Sequence, residues 1–186
     1  MNSKKIAVIV ALSALSVATN FAMISVYNVK FMDLFVFVGG FCFGPFAGGL
    51  IGVFSWCVYG VFNPFGFSLP VWLATMCCES FYGVAGGFVG RRLGGEVLGL
   101  SRGLRRFGVF FGAFGVFLTF VYDVVTNVAF GVFFYGNVLY SVIVGFVPFG
   151  LVHVLSNCLF FGVGCVPAIV AIRKVVGGEN LGVCEK

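Results

Sequence analysis

The chain has 186 residues, 61% of them hydrophobic and only 9% charged, with a mean hydropathy of +1.14. Soluble domains carry about 25% charged residues, so a water-soluble fold is excluded; at about 20 apolar residues per helical span, the length accommodates roughly six crossings and no appended catalytic or nucleotide-binding domain. The net charge of +5 comes from basic residues that flank apolar runs, where they report membrane orientation and not a nucleic-acid surface.

The first predicted span covers 6–27, after Lys4 and Lys5. A basic start before an apolar run also fits a signal peptide, but this run is longer than a usual signal core. Ala14, Ala18 and Ala22 recur every four residues, forming a smooth stripe suited to docking or sliding against another helix. Between Phe31 and Phe62 the only charge is Asp33, and Gly44-Pro45 divides the stretch into spans over 31–44 and 46–62. The first of these is short: its residues rise about 21 Å against an apolar core of about 30 Å.

Asn63-Pro64-Phe65-Gly66 reads as a turn, and the fourth span is predicted over 69–90. Residues 91–106, with Arg91, Arg92, Arg102, Arg105 and Arg106, form a basic cytoplasmic loop. The fifth span, 107–134, is longer than a straight crossing needs, so its outer end should project or bend. Residues 138–147 are too few to cross and read as an interfacial or re-entrant piece. The sixth span, 148–172, ends at Arg173-Lys174.

With the N-terminus inside, ten basic residues (Lys4, Lys5, Arg91, Arg92, Arg102, Arg105, Arg106, Arg173, Lys174 and Lys186) share one side, and Lys30 stands alone opposite. The expected architecture is therefore an all-α integral membrane protein: a single-domain bundle of six transmembrane helices, multi-pass in the cell membrane, N-in and C-in. Gly40/Gly44, Gly48/Gly52, Gly83/Gly87 and Gly108/Gly112 have the spacing of tightly packed helices. No long internal repeat is evident, against an inverted-repeat carrier. The cysteines are read as small apolar packing residues, with only Cys184 in a polar tail.

Polar groups are costly in hydrocarbon, so those within spans are the most informative residues. Counting from the basic end of each helix places Glu79 roughly 16 Å deep, Asp123 roughly 24 Å, Asn157 roughly 22 Å and His153 roughly 28 Å, all at the midplane or beyond it. Residues three or four apart share a face, so Asp123 with Asn127, His153 with Asn157, and Thr75 with Glu79 and Tyr82 make three polar stripes. Two readings stand. The groups pair with one another, Asp123 with His153 for example, to fix helix register; or they wall a cavity open to the outside. Their confinement to the outer half favours the cavity.

Taken together, Asn28-Val-Lys30-Phe-Met-Asp33, Trp56-Cys-Val-Tyr59-Gly-Val-Phe-Asn63-Pro64, Tyr122-Asp123-Val-Val-Thr126-Asn127 and Pro148-Phe-Gly-Leu-Val-His153-Val-Leu-Ser156-Asn157 resemble segments of the substrate-binding S components of energy-coupling factor (ECF) vitamin transporters. The resemblance extends over nearly the whole chain. It implies capture of a small water-soluble, vitamin-like solute on the extracellular side, beneath the loops after helices one, three and five. It also implies a membrane coupling (T) subunit and two cytoplasmic ATPases, with toppling of the S component to deliver the solute. Ala14 and Ala18 match the A-x-x-x-A pattern that meets the coupling subunit in such proteins.

The residues themselves agree that energy comes from elsewhere, because no G-x-x-x-x-G-K-[ST] loop is present. The expected solute contacts are Trp56, Tyr59, Asn63, Trp72, Glu79, Asp123, Asn127, His153 and Asn157, with the aromatic members stacking on a ring or closing the pocket. Asn28, Lys30 and Asp33 are outer-loop candidates; Lys30 and Asp33 either touch solute or pair to hold the loop. No cofactor and no metal is expected, because one histidine cannot build a zinc site of two His and a carboxylate. A proton-coupled carrier or channel using Glu79, Asp123 and His153 is the alternative, and an intramembrane hydrolase a more distant one, since the H-x-x-x-N of His153 and Asn157 lacks the other groups such enzymes need.

Overall fold

The structure, a computed structural model, describes residues 3–98 and 104–176; Arg102, Cys184 and Lys186 of the sequence reading lie outside them. Every regular element among the described residues is helical. Helix α1 spans Ser3–Ala22, α2 Met32–Phe43, α3 Pro45–Phe62, α4 Leu69–Leu98 and α5 Leu104–Phe130. The helix then widens by one turn at Gly131–Tyr135, and α6 (Val138–Gly145), α7 (Leu151–Leu159) and α8 (Cys165–Val176) follow, joined by wide turns at Phe146–Gly150 and Phe160–Gly164. Four helical stretches are long and apolar enough to cross a membrane: 5–22, 45–62, 105–135 and 138–176. All-helical among its described residues, with these long apolar stretches, the chain is a multi-pass membrane protein.

Several boundaries differ from the sequence expectation. Helix α1 stops at Ala22, short of Tyr27, where the chain tightens into i to i+3 turns (Val26 N to Met23 O, 2.8 Å) and Asn28 takes a positive φ of 53°. Asparagine tolerates that left-handed conformation better than most residues. Helix α4 runs on through Arg91, Arg92 and Glu96, eight residues into the stretch read as loop. Arg, Leu and Glu are good helix formers, and polarity alone does not separate a loop from a solvated helical turn. Within the stretch 138–147, Val138–Gly145 form a short helix whose cap, the Asn137 side chain, accepts from Tyr140 N. Helical backbone is lost at Val147 (φ −114°, ψ 114°), where Pro148 disfavours the helical region for the residue before it.

Helices α2, α3 and α4 approach one another at backbone distance. A methyl group on Gly40 or Gly48 would strike the Gly83 carbonyl, and one on Gly52 would come within 2.7 Å of Ser80 Cα. Lipid tails are as apolar as the helices, so such packing must come from close van der Waals contact, and small residues permit it. Gly108 and Gly112 make the same approach to the backbone of Gly162 and Cys158. Gly44 has a different role: at φ 92° it turns the chain between α2 and α3, and Pro45 begins the next helix, where its missing N–H costs nothing. Beneath this, Phe37, Phe41, Phe111 and Phe161 fill the interior with fully buried rings.

Candidate functional site

The ends of α1, α3 and α5 and the start of α4 meet at one pole of the bundle and surround a cavity of about 530 Å³, within the usual range for small-molecule sites. A second cavity of about 270 Å³ adjoins it, with Tyr27, Asn28, Lys30, Trp56, Val71, Thr75 and Phe130 common to both. The basic ends of α1, α4 and α5 (Lys5, Arg91 and Arg92, Arg105 and Arg106) lie at the other end of their helices, away from both cavities.

The aromatic walls are fixed in orientation. Trp56 donates its Nε1–H to Glu79 Oε2 (3.1 Å), and Trp72 donates its own to the Trp56 carbonyl (2.9 Å). Tyr59 packs edge-on to Trp56 and to Phe21. Lys30 extends from the loop after α1 with its Nζ over the rings of Tyr122 (4.9 Å) and Trp56 (5.8 Å), within cation–π range. Over the mouth, Tyr27 packs at a tilt against Phe149 (4.6 Å between centroids) and meets Phe65, while Asn28 Nδ2 donates to the Phe149 carbonyl (2.8 Å). The loops after α1 and α3 are thereby tied to the entrance of α7.

Beside the cavities lies a buried polar network that reaches the smaller one only through Asp123. His153 sets Nε2 against Asp33 Oδ2 (2.7 Å) and Nδ1 against Asp123 Oδ1 (2.9 Å). Asn157 Nδ2 donates to the same Asp33 oxygen (2.6 Å) and to Thr119 Oγ1 (2.8 Å), which also accepts from the Tyr82 hydroxyl (2.8 Å). Asp33, His153, Asn157 and Glu79 are fully buried. Each ring nitrogen faces a carboxylate oxygen and each such contact needs one proton. Asp33, His153 and Asp123 share one such proton in each of the two contacts. This trio links α2, α5 and α7.

The residues expected at a site thus fall into two groups. Trp56, Tyr59, Asn63, Trp72, Asn28 and Lys30 line the larger cavity, and Asp123 and Asn127 the smaller. Glu79, His153, Asn157 and Asp33 line neither; Glu79 orients Trp56 from behind, and the other three join helices. Ala14 and Ala18 are exposed on the face of α1 opposite buried Ile9, Ser13, Ser16 and Asn20. Sequence reasoning left out Asn20, Tyr27 and Phe130 of the larger cavity, and Thr119, the centre of the polar network. Thr119 stands four residues before Asp123, so the same face-sharing rule that paired Asp123 with Asn127 reaches it. Phe130 and Tyr27 carry no such signal, since an aromatic residue near a helix end is ordinary in a membrane protein.

Neither a curated protein nor a solved structure matches the chain. The family model for the ECF transporter substrate-specific component matches residues 4–163. With that match over most of its length, the chain belongs to the family of substrate-specific components of ECF transporters, a transporter family and not an enzyme family.

Proposed function

We propose that this S component captures a small, water-soluble, vitamin-like solute in the paired cavities on the extracellular side and delivers it inward with a coupling T subunit and two ATPases. The observation that carries the reading is the larger cavity itself: about 530 Å³, walled by oriented indoles and covered by a loop that Asn28 and Tyr27 fasten across its mouth. Oriented walls suit binding because little freedom is left to lose when solute enters.

Six crossings follow if α2 and α4 are added to the four long apolar stretches. Helix α2 has 12 residues and rises about 18 Å, so it would cross only with its flanking loop residues. The basic ends of α1, α4 and α5 favour their pole as the cytoplasmic one, which puts both cavities outside and the termini inside. On α1, the exposed small residues Ala7, Ala11, Ala14, Ala18 and Ala22 leave a smooth face for the coupling subunit, with Ala14 and Ala18 at its centre.

A proton-coupled carrier would need polar steps between the His153 trio and the basic pole. That interior is instead filled by Phe37, Phe41, Phe111 and Phe161.

The test is to extract and identify by mass spectrometry whatever small molecule accompanies the purified protein, and to titrate a vitamin panel against Trp fluorescence. A bound solute that changes the emission of Trp56 and Trp72 is expected. No extracted solute and no response to any compound would overturn capture.

A further inference from the structure

We infer that the solute is a small planar aromatic carboxylate, held through its anionic group by Lys30 and Tyr59; this rests on the capture reading and narrows it.

Most polar side chains around the larger cavity already spend their hydrogen bonds inside the protein. Asn63 Nδ2 donates to Gly60 O while its Oδ1 accepts from Phe65 N. Thr75 donates to Val71 O and Trp72 O, Trp72 to Trp56 O, and Asn28 to Phe149 O. Two donors remain. The Lys30 ammonium has no carboxylate within 4.0 Å and no hydrogen bond among the described residues, and the Tyr59 hydroxyl has none either. Both residues line the larger cavity.

This is unusual for Lys30, because three carboxyl groups stand in the same region. Asp33 and Asp123 turn to His153, and Glu79 to Trp56. One oxygen of each acid is engaged there and none lies within 4.0 Å of the lysine, which rests on the faces of Tyr122 and Trp56 instead. An ammonium in a mostly apolar cavity, with free hydroxyls in the same lining and no carboxylate within 4.0 Å, is complementary to a ligand carboxylate. The surrounding Trp56, Trp72 and Phe67 rings offer flat apolar surface to the remainder of such a molecule. No acid lines the larger cavity and Lys30 is the one charged residue that does, among the described residues, so charge selection there falls to the lysine.

Matched acid and amide probes of the same shape decide it: nicotinate against nicotinamide, 4-aminobenzoate against 4-aminobenzamide, and indole-3-acetate against indole-3-acetamide, with thiamine as the cationic control. Each is titrated calorimetrically into the purified full-length protein, and the extracted native solute is scored for charge. Acids should bind roughly ten- to hundredfold more tightly than their amides, the range of a hydrogen bond to a charged group. Lys30→Met should abolish that preference, Lys30→Arg should keep it and Tyr59→Phe should reduce it. An amide or thiamine binding as tightly as the acids, a neutral or cationic extracted solute, or a preference that survives in Lys30→Met would overturn the assignment while leaving capture intact. Absence of any extracted solute, with no binding of acids, amides or thiamine, would remove the capture reading together with it.

Discussion

Trp56 turns one side of its indole to the cavity and hands its N–H to the buried carboxyl of Glu79, 3.1 Å away on α4. Glu79 therefore acts on the cavity through Trp56. Glu79→Ala leaves the indole N–H without its acceptor, at a cost of about 1–3 kcal/mol, and frees the ring to turn. Solute affinity should fall about tenfold or more and Trp emission should shift. Glu79→Gln keeps an acceptor oxygen and should preserve most of the affinity. Equal effects of the two substitutions, measured by titration, would refute this positioning role.

Asn157→Ala is expected to behave differently. Asn157 ties Asp33 to Thr119 and lines no cavity, so its loss should lower thermal stability by about 1–3 kcal/mol with little change in the affinity of the folded fraction. Melting curves in detergent, read beside binding titrations, separate the two quantities.

His153→Ala should be more severe. It strips Asp123 of its side-chain partner and leaves Asp33 with Asn157 alone, and removing one member of a buried charged pair typically costs about 3–5 kcal/mol. A large drop in melting temperature or in the yield of folded protein is expected; a wild-type melting curve would contradict the network.

Gly83 and Gly95 test the packing as a pair on one helix. A methyl group on Gly83 meets the Gly48 backbone, whereas one on Gly95 meets nothing within 4 Å. Gly83→Ala should destabilise the protein, while Gly95→Ala should be neutral or stabilising by up to about 1 kcal/mol, since it restricts the unfolded chain. Equal melting temperatures would argue against close approach of α3 and α4.

Ala14→Trp and Ala18→Trp place bulk on an exposed face of α1 that lines neither cavity. In vesicles containing the coupling subunit and ATPases, uptake should be abolished by these substitutions while solute binding is retained. Uptake that survives both would move the coupling contact elsewhere.

Hydropathy and charge alone determined that this is a helical membrane protein with its basic residues gathered at one side, because desolvation of charge is a property of residue type and needs no knowledge of neighbours. Local chemistry likewise marked the turns at Gly44-Pro45 and Asn63-Pro64. The division of the polar residues was decided only by tertiary structure. Asp123 and His153 were candidates both for pairing and for solute, and 30 residues separate them in the chain; whether a buried group meets a partner or a cavity depends on how helices cross, which spacing along one helix cannot reveal. The same holds for Lys30. In the sequence it is the exception to the charge asymmetry, and only folding of the loop after α1 lays its ammonium across Tyr122 and Trp56 at the cavity wall.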